Sequence, residues 1–211
     1  MKSNKKSRKS VSLDGLFKQN IVLMSGLVTA PIIVAATSAE RALVLVISFF
    51  TISYTSILIC RAIPRRLAYS IRIFLYAVVA GIMYIPTMLL LQRLFPQTTQ
   101  SVELYIGLLV VNSLLLAKTE MRFYLKPFGE MAADSLIYVL GYAMVAFIVG
   151  FLREILAYGT LFGQRMVDPI VPAAKSPFFG FILVGILAAL CRAVVGRRRT
   201  SSEMDELYER G

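Results

Sequence analysis

Apolar residues fall into six runs, Ile21–Ala39, Ala42–Cys60, Ile73–Leu91, Leu104–Ala117, Ser135–Leu152 and Pro177–Cys191, and the short stretches between them hold nearly all the charge. A helix rises about 1.5 Å per residue, so about 20 residues cross a hydrocarbon core of roughly 30 Å. The second, third and fifth runs match that length. The pattern predicts an all-α integral membrane protein with six transmembrane helices. Two runs are irregular. The first carries Pro31 at its middle, where a helix loses a hydrogen bond and kinks or breaks. The fourth is bounded by Glu103 and Lys118, and its 14 uncharged residues reach only about 21 Å.

Six spans divide into two sets of three, and an odd number per set turns the halves in opposite directions. The irregular runs, the first and the fourth, are corresponding members of the two halves. Paired interrupted segments at matching positions point to a midplane site built from broken helices. The plainer reading is an ordinary kink at Pro31 and a fourth span that is short or tilted, and the pattern alone admits both. Pro31, Asn112 and Ser113 are the candidate midplane or packing residues. A buried amide in hydrocarbon is costly unless bonded, so Asn112 should face a partner helix, a backbone gap or water. Asn and Ser also serve as interhelical glue without any transport role, which is the commoner case. Ala35 and Ala39 form a small-xxx-small pair, a weak helix-docking pattern.

Charge gives the direction. With a cytoplasmic N-terminus, 18 Lys and Arg residues fall on the inner side: six in the leader from Lys2 to Lys18, then Arg61, Arg65, Arg66 and Arg72, then Lys118, Arg122 and Lys126, then five from Arg192 to Arg210. Five remain outside: Arg41, Arg93, Arg153, Arg165 and Lys175. Under the positive-inside rule both ends are cytoplasmic. The chain then reads as a basic cytoplasmic segment 1–20, a membrane domain 21–195 and a cytoplasmic tail 196–211. The small residues Ala35-Ala36-Thr37-Ser38-Ala39 also resemble a signal cleavage site. The long leader and the immediate start of the next run favour an uncleaved span.

The net charge of +11 sits beside apolar runs and not along one soluble face, so it marks topology and not nucleic-acid binding. Histidine is absent, and the cysteines are Cys60 and Cys191 alone, too few for a disulfide framework or a four-cysteine metal site. Spans three and five contain no ionisable residue, whereas a stand-alone ion pump usually needs one at depth. The adjacent pair Arg153 and Glu154 ends the fifth run, where an interfacial cap is the favoured role. Gly159, Gly163, Pro169, Pro172 and Pro177 mark the segment that follows as an ordered outer loop.

The stretch Leu152-Arg153-Glu154-Ile155-Leu156, continuing to Gly159-Thr160-Leu161-Phe162-Gly163, resembles the signature of the Rnf/Nqr membrane subunits, in particular the E-type component of Rnf and the D-type component of Nqr. Arg153, Glu154, Gly159, Thr160 and Phe162 are its signature residues here. Supporting matches include Leu16 to Asn20, Gly26-Leu27, Pro31, Ala39, Val111-Asn112, Glu120, Asp134 and Ser176-Pro177-Phe178, so the resemblance covers about residues 15–195. It implies six spans in two inverted three-helix repeats, with spans one and four as half-helices. It also implies a homologous six-span partner of opposite topology, with a [2Fe–2S] cluster held between the two by one cysteine from span one and one from span four of each.

This sequence departs from that pattern at the ligands. The family cysteine before the proline that matches Pro31 is Ala30 here, and the cysteine after the asparagine that matches Asn112 is Ser113. Iron–sulfur clusters are held by thiolates. The expectation is therefore a chain with no cofactor of its own, at most a non-catalytic subunit. It would be structural or ion-path-forming within an ion-translocating electron-transport complex, with membrane and peripheral redox subunits and the lipid bilayer as partners. The alternatives are a substrate-binding membrane component of a small-molecule transporter and a non-catalytic assembly scaffold.

Overall fold

A computed structural model describes residues 20–64, 66–112, 114–121 and 126–208. The basic leader up to Gln19, Arg65, Ser113, Arg122 and Arg210 lie outside the described residues. Apart from one short hairpin the elements are helical. In order they are α1 (Thr29–Ala35), α2 (Ala39–Phe49), a π-turn (Phe50–Tyr54), α3 (Thr55–Cys60), α4 (Tyr69–Leu94) and α5 (Pro96–Leu108). There follow a 3₁₀ turn (Leu109–Val111), a second π-turn (Leu114–Lys118), α6 (Thr119–Met121), α7 (Phe128–Tyr158), β1 (Thr160–Leu161), β2 (Gln164–Arg165), a 3₁₀ turn (Pro172–Lys175) and α8 (Pro177–Tyr208).

Five stretches among the described residues are long and apolar enough to cross a bilayer: Ala39–Cys60, Tyr69–Leu94, Pro96–Leu116, Phe128–Tyr158 and Pro177–Val194. The first apolar run is not among them. It forms a seven-residue helix about 10 Å long, preceded by a chain of turns. The interruption does not lie at Pro31. Gly26 and Val28 both have positive φ, 65° and 57°, and a right-handed helix cannot pass through them. Helix α1 begins just after, at Thr29, so Pro31 stands in its first turn, where a missing N–H costs nothing. Helix α1 ends at Ala35 and α2 begins at Ala39, so the two alanines do not form a stripe on one helix.

The fourth run also differs from expectation, in the opposite sense. Pro96 opens α5 at its first position, and the helix continues through Glu103, whose exposed side chain needs no exit from the helix. The interruption falls at Asn112, which is extended (φ −95°, ψ 149°) after the 3₁₀ turn. Helix α7 is the most enclosed of the long helices and packs on α1, α2 and the following loop, whereas α8 is peripheral. The non-helical segment before α1 buries its first half, Ile21, Val22 and Leu23, leaves Ser25 and Gly26 exposed, and bonds its N–H groups in its own turns, Met24 and Ser25 to the Asn20 carbonyl and Gly26 to that of Val22. Asn20 anchors it. Its Oδ1 accepts the N–H groups of Val22 (2.9 Å) and Leu23 (3.1 Å), and its Nδ2 donates to the Gly141 carbonyl of α7 at 3.0 Å.

Candidate functional site

Two polar clusters stand out in this apolar bundle, one near an end and one at mid-depth. The first is built on Arg153 and Glu154 near the C-terminal end of α7. Arg153 is fully buried and Glu154 is 3% exposed, and none of the hydrogen bonds they make joins one to the other. Arg153 Nε donates to the Ala174 carbonyl at 3.0 Å. Its Nη1 donates to the carbonyls of Ile33 (2.7 Å) and Ala36 (3.2 Å), and its Nη2 to those of Lys175 (3.1 Å) and Ser176 (3.2 Å). A guanidinium has five N–H donors, so each of them is used. The cation therefore stands at the C-terminal end of α1, where helix carbonyls lack partners and the dipole is negative.

Glu154 does the reverse. Its Oε2 accepts the Ala39 N–H at 2.7 Å, at the positive first turn of α2. Its Oε1 accepts from the Thr160 hydroxyl and the Gly163 N–H, both at 3.2 Å. Adjacent residues of one helix thus close the end of α1, the start of α2, the hairpin and the entry to α8. The cap expected from sequence is present, but it is internal and joins four elements.

The glycines of the signature fit this latch. Gly159 ends α7 at φ 64°, and a Cβ there would lie 1.8 Å from the Val167 carbonyl oxygen, so no other residue fits. Its own carbonyl accepts the N–H groups of Met166 and Val167. Gly180 brings α8 onto the end of α1, since a Cβ there would sit 2.4 Å from the Ile33 oxygen that Arg153 binds. Phe162 and Gly163 at the hairpin tip have φ of 49° and 79°, the paired positive values that a tight I′ hairpin turn demands. Phe162 is exposed and borders an apolar cleft of about 310 Å³ with Ala39, Phe147 and Phe151. A polar recess of about 240 Å³, lined by Thr37, Ser38, Arg41, Glu154 and Thr160 among others, opens beside the carboxylate.

The second cluster lies where α2, α4 and α5 meet. Asn112 is 4% exposed and holds both sides of the break. Its Nδ2 donates to the Leu109 carbonyl before the break, and its Oδ1 accepts the Leu115 N–H after it at 2.9 Å. The same Nδ2 reaches across to the Ser53 hydroxyl at 2.9 Å. Ser53 sits in the π-turn between α2 and α3, and such insertions are frequent at functional sites. Thr87 of α4 donates to the Met83 carbonyl at 2.7 Å and lies 3.1 Å from the Thr51 hydroxyl of the same π-turn. Asn112 therefore faces two of the three partners foreseen for it, a neighbouring helix and a backbone gap. Ala30 lies exposed in the first turn of α1, and Pro31 beside it is buried.

Sequence reasoning passed over Ser53, Thr51 and Thr87, because isolated hydroxyls in apolar runs carry no spacing signal. It also left unused an ion pair between Arg72 and Glu120, with Tyr76 donating to the same carboxylate at 2.8 Å, and another between Lys126 and Asp134.

Comparison with known proteins settles the family. The family model described as Rnf-Nqr subunit, membrane protein, matches residues 9–189. Among curated relatives, the D-type component of the Na(+)-translocating NADH-quinone reductase of Yersinia enterocolitica is 24% identical over 168 residues, 80% of each chain. The proteins of that name from Yersinia pestis and Yersinia pseudotuberculosis match to the same extent. With its helical bundle, its interrupted first and fourth apolar segments and its Arg-Glu latch, this multi-pass membrane protein belongs to the Rnf-Nqr membrane-subunit family.

Proposed function

We propose that the chain is a membrane subunit of an Rnf/Nqr-type redox-driven ion translocase, and that it forms part of the membrane path and holds its neighbours without ligating a cluster of its own. The observation that carries this reading is the family match together with the side chain at the span-one ligand position, the Ala30 methyl. A methyl group has no lone pair to give iron. Its counterpart in span four is the hydroxyl of Ser113. The two cysteines belong elsewhere, Cys60 buried at the end of α3 and Cys191 in α8. This donor set does not fit a [2Fe–2S] centre, and no electron-transfer step is assigned to the chain.

The remaining features of the reading follow the family. The breaks at Gly26–Val28 and at Asn112 support two inverted three-helix repeats, with α1 as the half-helix of span one. The charge bias supports cytoplasmic termini, and the family match supports a bacterial-type plasma membrane. A homologous subunit of opposite topology is the partner expected against α1 and α5, along with peripheral redox subunits.

Iron and acid-labile sulfide, measured on the chain purified alone and on its native complex, test this directly. The expected outcome is co-purification with redox subunits and no iron in the isolated chain. Stoichiometric iron and sulfide in the isolated chain, lost on Ser113→Ala, would overturn the no-ligand reading. Purification from native membranes without any redox subunit would overturn the membership of such a complex.

A further inference from the structure

In the seam where Asn112 meets Ser53 the side chains are buried, the hydroxyls of Ser56 and Thr119, unpartnered among the described residues, included. Open space lies instead at the hairpin end of α7, in two adjoining hollows. The apolar cleft of about 310 Å³ and the polar recess of about 240 Å³ are small beside usual ligand sites, which run to about 300–1,000 Å³. They lie in line. Phe147, Phe151, Glu154 and Tyr158 follow at spacings of four, three and four, so they share one face of α7. The first two line the cleft and the last two the recess. On the first turn of α2, Ala39 borders the cleft, whereas Ser38, Glu40 and Arg41 border the recess. At the hairpin tip Phe162 belongs to the cleft and Gly163 to the recess. The same face of α7 continues beyond the cleft through Met144 to the exposed Leu140. From Phe151 to Leu140 is about 16 Å of helix, close to one leaflet of a hydrocarbon core roughly 30 Å thick.

The recess carries both signs of charge. Glu154 is already bonded through both oxygens. Glu40 and Arg41 are not: among the described residues neither forms an ion pair, and each has bonding capacity left. Glu40 is exposed and accepts from the Thr98 hydroxyl through one oxygen. Arg41 is half-buried and donates to the Thr37 hydroxyl at 2.6 Å through one of its five N–H groups. Lys175, over the Tyr158 ring at 4.4 Å, is a second cation beside the recess. A cation and an anion side by side match a zwitterion, and an apolar cleft on a lipid-facing helix matches a chain of methylenes. We propose that the hairpin end of α7 binds one phospholipid with a primary-ammonium headgroup of the phosphatidylethanolamine kind, its phosphate on Arg41, its ammonium on Glu40 and one acyl chain in the cleft between Phe147, Phe151 and Phe162. Phe162 then has a reason for its place. The first position of an I′ turn ordinarily takes Asn, Asp or Gly, and a phenyl ring held there at φ 49° closes the cleft over the chain. The bound lipid ties α2, α7 and the hairpin together beside the latch, whichever complex the chain serves.

The test adds three photoactivatable lipids to the native complex in detergent, with the same diazirine-bearing acyl chains and different headgroups. Phosphatidylethanolamine carries phosphate and an N–H-bearing ammonium, phosphatidylcholine replaces those N–H groups by methyls, and phosphatidylglycerol has no cation. Cross-links are mapped by peptide mass spectrometry, with the exposed apolar face of α4 around Phe74 and Ile82 as the reference for bulk lipid. The expected result is labelling of residues 140–162 by the ethanolamine lipid at least fivefold above the other two, with all three equal on α4. Arg41→Gln and Glu40→Gln should each lower that labelling about fivefold, and Arg41→Lys should keep at least half of it. Equal labelling of 140–162 by the three lipids means bulk lipid only and overturns the site. No labelling there means that another subunit covers this face, which overturns it too, as does labelling unchanged in both glutamine variants. Where a variant fails to assemble, the headgroup series on the unsubstituted complex decides alone.

Discussion

The Arg153–Glu154 latch and the Asn112 seam are both polar and both buried, yet they are finished to different degrees. In the latch every donor of the guanidinium has a carbonyl, and both carboxylate oxygens are bonded. In the seam the bonds pass through single hydroxyls, two neighbouring oxygens have no partner among the described residues, and two of the three helices are irregular at the same level. A saturated network has one low-energy arrangement and fixes the elements it joins. An unsaturated one can exchange partners at small cost. The comparison assigns rigidity to one end of the bundle and adaptability to its middle.

The strongest way to break that contrast is Arg153→Ala. It leaves five carbonyls without this donor, three of them buried, and releases the end of α1 from α8. The loss expected is about 3–5 kcal/mol, or roughly 10 °C in the melting temperature of the detergent-solubilised protein. Arg153→Lys should recover part of this, because an ammonium brings three donors without the planar fork. Equal melting temperatures for Arg153→Ala and the unsubstituted protein would remove the latch from any account of stability. Next in size is Gly180→Val, which places a Cβ inside contact distance of the Ile33 oxygen and must push α8 outward. A cost of about 1–3 kcal/mol is expected, read as a melting temperature lower by a few degrees. An unchanged value would show that α8 does not rest on α1 there.

How much of this was legible depends on what kind of group does the bonding. The long apolar helices α4 and α7 announced themselves, since hydrophobic length is a property of side chains in sequence. The capping role of Arg153 and Glu154 was also anticipated, because opposite charges at the end of an apolar run have few other uses. Their partners were not. Ile33, Ala36, Ala39, Ala174 and Lys175 contribute main-chain groups, which every residue type carries, so no composition or spacing could point to them. Pro31 drew attention to the right segment for the wrong reason: the break belongs to Gly26 and Val28, and the proline only suits the turn after it. Glu103 misplaced the start of α5 because a charge was taken as a boundary, whereas on an exposed helix face it ends nothing. The π-turn Phe50–Tyr54 has no signature at all in its residues.

Asn112→Ala tests the other half of the comparison. It frees the Leu109 carbonyl and the Leu115 N–H on either side of the break, and a cost of about 1–3 kcal/mol is expected. Because the seam is adaptable, the larger consequence should be functional. Ion translocation by the complex should fall further, relative to the melting temperature, than it does in Arg153→Lys. A variant that loses stability and translocation in the same proportion as Arg153→Lys would erase the distinction between the two sites.

The smallest effect is also the most discriminating. Ser53→Ala removes one hydroxyl that bonds across the bundle, and interhelical hydrogen bonds in membranes are worth about 0.6 kcal/mol on average. Alone, that is close to the error of a melting experiment. Combined with Asn112→Ala in a double-mutant cycle, it isolates the contact, because the Asn112 bonds to Leu109 and Leu115 cancel between the two arms. A coupling of about 0.5–1 kcal/mol is expected if the amide and the hydroxyl meet as described. Additive losses would mean that the π-turn and the break do not touch. The contact that holds the π-turn in place would then have to be sought at Thr51 and Thr87, whose hydroxyls meet between the π-turn and α4.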